Sequence, residues 1–179
     1  MVRVEDIKVP WNASWTGEEE FEIRNCRWVG GRPAVWQKHA PGVGRPIFAK
    51  PHMVRQRRSI AEMRCTVCGE LTGEDRWWFR LGRIDEQTRS YMTTESPVHR
   101  VCAEHAKVIC PHLRSLGVEP EPMPTGYQIM SAICAGPKCS EDFKLPLVTP
   151  DRPVIGAMKI AWPLSTVIGR KAEFGLEVL

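Results

Sequence analysis

Several familiar features are missing from this chain of 179 residues. No window approaches the roughly 18 consecutive apolar residues that a membrane-spanning helix needs. The opening stretch, MVRVEDIKVPWNASW, lacks the apolar core of a cleaved secretory signal. No internal repeat at a period of roughly 20–50 residues is visible, which excludes solenoids and propellers. No Ser-His-Asp spacing, phosphate-cradling glycine loop or paired-carboxylate constellation appears, so the usual hydrolase and nucleotide-transferase signatures are absent. Together these absences predict a cytoplasmic protein in a reducing compartment, with no membrane association and no evident small-molecule substrate.

What is present is ordinary in bulk and uneven in detail. Hydrophobic residues make up 42% and charged residues 26%, which excludes bulk disorder and allows a real core. Proline (15) and tryptophan (7) are both abundant, and this favours an irregular, loop-rich fold pinned by aromatic anchors. The net charge of +4 is concentrated. Between residues 45 and 64 the bases Arg45, Lys50, Arg55, Arg57, Arg58 and Arg64 face Glu62 alone. Such a cluster could contact phosphate or an acidic partner, or could be a solvated linker whose arginines pair with nearby carboxylates.

The chain divides into three regions by composition. Residues 1–48 are rich in tryptophan and in Gly-Pro turns, and read as a β-type N-terminal region, with strands over 20–29 and 34–36. Residues 49–116 hold the basic segment and the first cysteine clusters. Met53–Met63 has helical composition, with Met53, Ile60 and Ala61 expected on a face apart from Arg57 and Arg58. Trp77-Trp78-Phe79 reads as a strand that pairs with a return strand at Tyr91–Thr94 to make a hairpin. Residues 98–109 read as a helix, ended or kinked at Cys110 by Pro111. Residues 117–179 open with a proline-rich connector of little regular structure. They then regain apolar character at Val154–Trp162, one further strand, and end on a weakly patterned tail, 165–179.

The chemistry lies in the cysteines. Cys65-x2-Cys68-Gly69 and Cys102-x2-His105 are two ligand pairs at the spacing of a tetrahedral ion site, and Gly69 supplies the backbone freedom of the tight turn. Cys102 and His105 stand at i and i+3 on the expected helix, near its positive N-terminal end, which favours thiolate. Knuckle, hairpin and helix together predict an α+β protein built on a treble-clef zinc finger, with β-rich and irregular flanks. Cys65, Cys68, Cys102 and His105 form a closed Cys3His set, the mark of a structural Zn2+ rather than a catalytic one. Such an ion contributes about 10 kcal/mol to folding. A second set, Cys110, His112, Cys134 and Cys139, could hold another ion, and Cys110 could also replace His105. Cys26 has no partner by spacing and reads as a buried free thiol.

The order of motifs carries a resemblance. Gly44-Arg45-Pro46-Ile47-Phe48, His52, Arg55-Gln56-Arg57-Arg58, Cys65-x2-Cys68-Gly69, Trp77-Trp78, Cys102-x2-His105 and Cys110-Pro111-His112-Leu113 follow one another over about residues 44–114. This stretch resembles uncharacterised zinc-finger proteins encoded in bacterial, especially actinobacterial, genomes and in phages or prophages. The resemblance implies a fold and a metal, and no activity; relatives commonly have cysteine where His105 stands.

Three functions compete on these residues. The first is a non-enzymatic, zinc-stabilised binding protein of phage or prophage type. It would contact nucleic acid or a protein partner through Arg55, Arg57 and Arg58, with Trp77, Trp78 and Tyr91 as stacking surfaces. Those aromatics could equally form a core under the metal, and Trp77 and Trp78, being adjacent on a strand, must face opposite ways. The second is a phage structural or assembly component, virion-associated, whose Trp-rich and Pro-rich regions order on neighbouring subunits. The third is a metal-dependent nuclease of the HNH type. That chemistry needs a water-activating histidine, and His99 is the sole histidine between the ligand pairs.

Overall fold

The computed structural model describes residues 3–145 and 151–167. The strands are β1 (Ala13–Trp15), β2 (Phe21–Cys26), β3 (Arg32–Gln37), β4 (Pro46–Pro51), β5 (Trp77–Phe79), β6 (Arg83–Asp85), β7 (Ser90–Thr93), β8 (Pro120–Pro122), β9 (Gln128–Cys134) and β10 (Val154–Pro163). The helices are α1 (Met53–Ala61), between β4 and β5, then α2 (Arg100–Ile109), α3 (Pro111–Leu116) and α4 (Pro137–Asp142). The fold is mixed α+β. Among the described residues no helix is long and apolar enough to cross a membrane.

The apolar run VIGAMKIAW becomes the central strand of the largest sheet, β10. It pairs along its length with β9, and on its other edge with β3 at Ile155 and with β7 from Ile160 to Pro163. β2 extends the sheet beyond β3, and β6 extends it beyond β7. A strand covered on both faces needs apolar side chains on both, and Val154, Ile155, Met158, Ile160, Ala161 and Trp162 are all buried.

The sheet is irregular where β10 passes from β3 toward β7. Its register with β9 shifts between Ile155 and Met158. Backbone groups there would be orphaned, which costs as much as a lost hydrogen bond. Polar side chains from α1 take the place of the ladder. Gln56 donates to the carbonyls of Met158 (2.8 Å) and Thr94 (2.7 Å) and accepts from the Met158 N–H (3.0 Å). Arg57 donates to the carbonyls of Gly156 in β10 and Val35 in β3, and so clasps the two strands.

This reverses the expected polarity of α1. Met53, Arg57 and Ile60 lie at i, i+4 and i+7, one face of a helix, and all three are buried. Arg57 therefore shares the apolar face instead of opposing it. The helix starts where His52 accepts a hydrogen bond from the Arg55 N–H through Nδ1 (3.3 Å).

The three compositional regions share one core. Cys26, Val29 and Ala34 from the first, Ile60, Met63, Trp78 and Tyr91 from the second, and Met123, Ile155, Ile160 and Trp162 from the third belong to a single cluster. Trp78 lies with ring centroids 4.7 Å from Trp162 and 5.6 Å from Tyr91, and the Trp162 Nε1–H reaches the Pro124 carbonyl at 3.0 Å. Trp78 and Tyr91 are thus core anchors and not stacking surfaces. Trp77 faces the other way, toward a second cluster with Cys65, Val98 and Cys102, as strand alternation requires.

The hairpin differs from the expected pairing. β7 pairs with β6, while β5 pairs with β8. The proline-rich region is also more regular than its composition suggests, for it supplies β8, β9 and α4. Residues 146–150 of that connector and 168–179 of the tail lie outside the described residues.

Candidate metal centre

The Cys65–Cys68 pair sits on a tight backbone knuckle. The Gly69 N–H donates to the Cys65 carbonyl (2.8 Å), and the Cys65 N–H donates to the Glu70 carbonyl (2.8 Å). Gly69 has φ +81°, and a Cβ there would stand 2.7 Å from the indole of Trp11. Only glycine satisfies both demands. The N-terminal region crosses the knuckle, since Trp11 and Asn12 donate backbone hydrogen bonds to Val67 (2.9 Å) and Thr66 (3.1 Å).

The second half of the site is the N-terminus of α2. Val98 and Trp77 exchange backbone hydrogen bonds of 2.9 and 2.8 Å, which hold the helix start against β5. His99 is the N-cap and Cys102 lies in the first turn, so both side chains stand over the same helix end. His99 Nδ1 is 3.4 Å from the Cys68 sulfur and 3.7 Å from the Cys102 sulfur. The ligand atoms of Cys65, Cys68, His99 and Cys102 all lie within 4.8 Å of one another. Ligands about 2.3 Å from a zinc ion at tetrahedral angles stand roughly 3.8 Å apart, so the set fits such an ion.

The fourth member of this group is His99 and not His105. His105 lies one turn further along α2, where its Nε2 meets the Ile7 carbonyl at 2.9 Å and ties the N-terminal segment to the helix. The signal for His99 was present in the sequence, because His99-x2-Cys102 has the same spacing as Cys102-x2-His105. The knuckle faces the start of the helix, and side chains on a helix lean toward its N-terminus, so the N-cap histidine is within reach and the next turn is not. The Nε2 of His99 meets the Leu71 carbonyl at 3.0 Å, which leaves Nδ1 as the ligating nitrogen.

The electrostatics suit a cation. The Cys65 thiol is pulled down to about 5, chiefly by the Cys102 thiol hydrogen bond, against burial, and with help from the backbone of Cys68, His99 and Val67. Burial, with the charge on Cys65, pushes Cys68 up. Cys102, which shares its proton with Cys65, is pushed far up by that bond and by burial. Three sulfurs this close cannot all ionise unaided, whereas a divalent cation among them favours three thiolates. When bound, it would supply structural cross-linking, held by Cys65, Cys68, His99 and Cys102.

The second expected set is not assembled. Cys134 and Cys139 are joined to each other as a disulfide with Cα atoms 5.7 Å apart. The turn at Gly136, with Pro137 opening α4, brings the two thiols together. Cys110 and His112 lie at the α2–α3 junction and belong to no metal-competent group among the described residues, so Cys110 does not replace His105 as a ligand either. Cys26 is a buried free thiol, as its isolation suggested.

A different cluster, which no sequence spacing marks, lies beside α1. Ligand atoms of Glu18, His39 and His52 also approach within 4.8 Å. The facing atoms are already engaged, His39 Nδ1 by the Arg55 guanidinium at 3.3 Å. Both Glu18 oxygens accept from Arg55 (2.8 and 2.7 Å), and one each also accepts the Trp15 and Ala40 N–H groups. His52 uses Nε2 on the Lys38 carbonyl and Nδ1 on the Arg55 N–H. This cluster is a buried ion-pair network that tethers α1 to the N-terminal region.

Two of the three arginines expected to contact a partner are consequently not on the surface. Arg55 is 3% exposed and paired with Glu18, and Arg57 is 1% exposed in the sheet clasp. Of the three, Arg58 alone remains partly open, at 3.1 Å from Glu62. Elsewhere in the basic segment Arg45 is exposed, and Lys50 and Arg64 are partly open and paired with Glu19 and Glu62. Comparison of the chain with protein-family models, with curated proteins and with solved structures returned no match.

Proposed function

We propose that this chain is a non-enzymatic binding protein whose treble-clef-like half is held together by one structural zinc ion. It is of the bacterial and phage zinc-finger type that the 44–114 motifs resemble. The observation that carries this reading is the convergence of Cys65, Cys68, His99 and Cys102 from a knuckle and a helix N-terminus. Four protein ligands leave no open position for a substrate or an activated water. His99, the histidine an HNH-type nuclease would need, has Nδ1 toward the sulfurs and Nε2 on a carbonyl, so the geometry favours a ligand role.

Elemental analysis of the purified protein tests the metal. One equivalent of zinc, with loss of near-ultraviolet circular dichroism on chelation, is the expected result. Zinc-free protein with an unchanged spectrum overturns it. The partner in this reading is nucleic acid in preference to a protein, because the accessible arginines Arg24 and Arg27 stand over the half-buried indoles of Trp36 and Trp28.

A further inference from the structure

A cleft of about 310 Å3 opens between β2, β3 and α1, away from the metal group. Arg24, Arg27 and Arg57, the indoles of Trp28 and Trp36, and Cys26 line it, with no carboxylate among its lining residues. Alternation along the hairpin places Arg24 and Cys26 on the face shared by Ala34 and Trp36. The Arg24 guanidinium carbon is 3.7 Å from the Trp36 ring centroid, and that of Arg27 is 4.8 Å from Trp28.

Two observations point to an anionic occupant. Arg57 is 1% exposed, its terminal nitrogens are spent on neutral carbonyls, the Cys26 thiol is its side-chain neighbour, and its Nε has no oxygen or nitrogen partner. A buried guanidinium without a carboxylate is a standing positive potential at the floor of the cleft. The surroundings also hold more cations than carboxylates. Arg24 is matched by Glu22, and Glu62, which accepts from the Trp28 Nε1–H at 2.8 Å, is shared by Arg27 in the lining and by Arg58 and Arg64 beyond it. The walls are aromatic and planar, so the occupant carries a flat apolar part as well as its charge.

We infer that this cleft binds one nucleotide unit, with the phosphate toward Arg27 and Arg57 and the base stacked on the Trp36–Arg24 ledge. Bases stack on indole and guanidinium planes alike, and the stack is tolerant of base identity. The volume lies at the small end of ligand sites, which admits one unit and not a folded partner. The unit could be a free mononucleotide or one residue of a single strand; the chemistry is shared. This inference refines the nucleic-acid half of the proposed function and is independent of the metal.

The test uses the full chain with its zinc content measured in the same samples. Binding of a single-stranded oligothymidylate, adenosine monophosphate, inorganic phosphate and polyglutamate is followed by tryptophan fluorescence and calorimetry across a salt series. The oligonucleotide is expected to bind with an affinity that falls steeply with salt. Arg27→Ala, at a side chain 76% exposed, and Trp36→Leu should each weaken it about five-fold or more. Arg83→Ala, exposed on β6, should leave it unchanged. Full competition by adenosine monophosphate identifies a free nucleotide, and its failure to compete identifies a strand. Binding of neither nucleotide probe to folded protein overturns the inference. So does affinity insensitive to Trp36→Leu, or polyglutamate binding as tightly as the oligonucleotide. A zinc-loaded protein that binds no nucleotide refutes the cleft alone; a zinc-free protein that binds refutes the metal alone.

Discussion

Arg55→Ala should be among the most damaging single substitutions in the chain, although sequence composition places Arg55 in a basic, surface-like run. Arg55 donates two hydrogen bonds to Glu18, at 2.8 and 2.7 Å, and a third to the Ala13 carbonyl at 2.7 Å. Glu18 is fully buried, so truncation of Arg55 leaves a carboxylate hydrogen-bonded to the Trp15 and Ala40 N–H groups, with the buried His52 ring 3.8 Å away and no permanent cation beside it. Breaking a buried pair in this way costs about 3–5 kcal/mol, because the surviving charge is uncompensated. Total stability for a domain is only about 5–15 kcal/mol, so the variant should lose a large fraction of it. The assay is urea unfolding followed by tryptophan fluorescence. The exposed Lys38–Glu20 pair provides the contrast, and Lys38→Ala should cost less than about 1 kcal/mol. The double variant Glu18→Gln with Arg55→Met should recover part of the loss, since it removes the stranded charge. A loss below about 1 kcal/mol for Arg55→Ala, or no recovery in the double variant, would refute the reasoning.

Three further outcomes follow from named contacts. His99→Ala should abolish tight zinc binding, whereas His105→Ala should keep one equivalent and cost about 0.5–1.5 kcal/mol for the lost Ile7 hydrogen bond; metal titration and melts separate the two. Acid should destabilise the fold through His52, which burial and then the charge of Arg55 hold down to about 4. Its unfolded form takes up a proton as pH falls below about 6.5. Stability should therefore drop between about pH 6.5 and 4, by about 3 kcal/mol in all, and His52→Gln should flatten that slope in pH-dependent urea midpoints. Gly69→Ala should lower both zinc affinity and stability, because its Cβ meets the Trp11 indole at φ +81°; a wild-type metal titration curve for this variant would contradict the knuckle geometry.

Some of this molecule is legible without coordinates. The spacing Cys65-x2-Cys68-Gly69 announces a knuckle on its own, since two ligands and a turn glycine are local chemistry. The run Val154–Trp162 announces a buried strand, and the Trp77-Trp78 alternation places one indole toward each side of its strand. The α1 helix is legible too, but its orientation is not. Helical spacing puts Arg57 on the face of Met53 and Ile60, while its charge favours solvent, and the carbonyls that hold it inside come from Val35 and Gly156.

Local pattern alone determined the α1 and α2 helices, the β2, β3, β5, β7 and β10 strands and the Cys65–Cys68 knuckle, because these depend on residues a few positions apart. Long-range contact decided the rest. Whether His99 or His105 completes the ligand set depends on which end of α2 meets the knuckle. Whether Arg55 and Arg57 meet solvent depends on a carboxylate at Glu18 and on carbonyls at Val35 and Gly156, far away in the chain. A charged side chain carries the same formula at the surface and in the core; only the partners that the folded chain delivers tell the two apart.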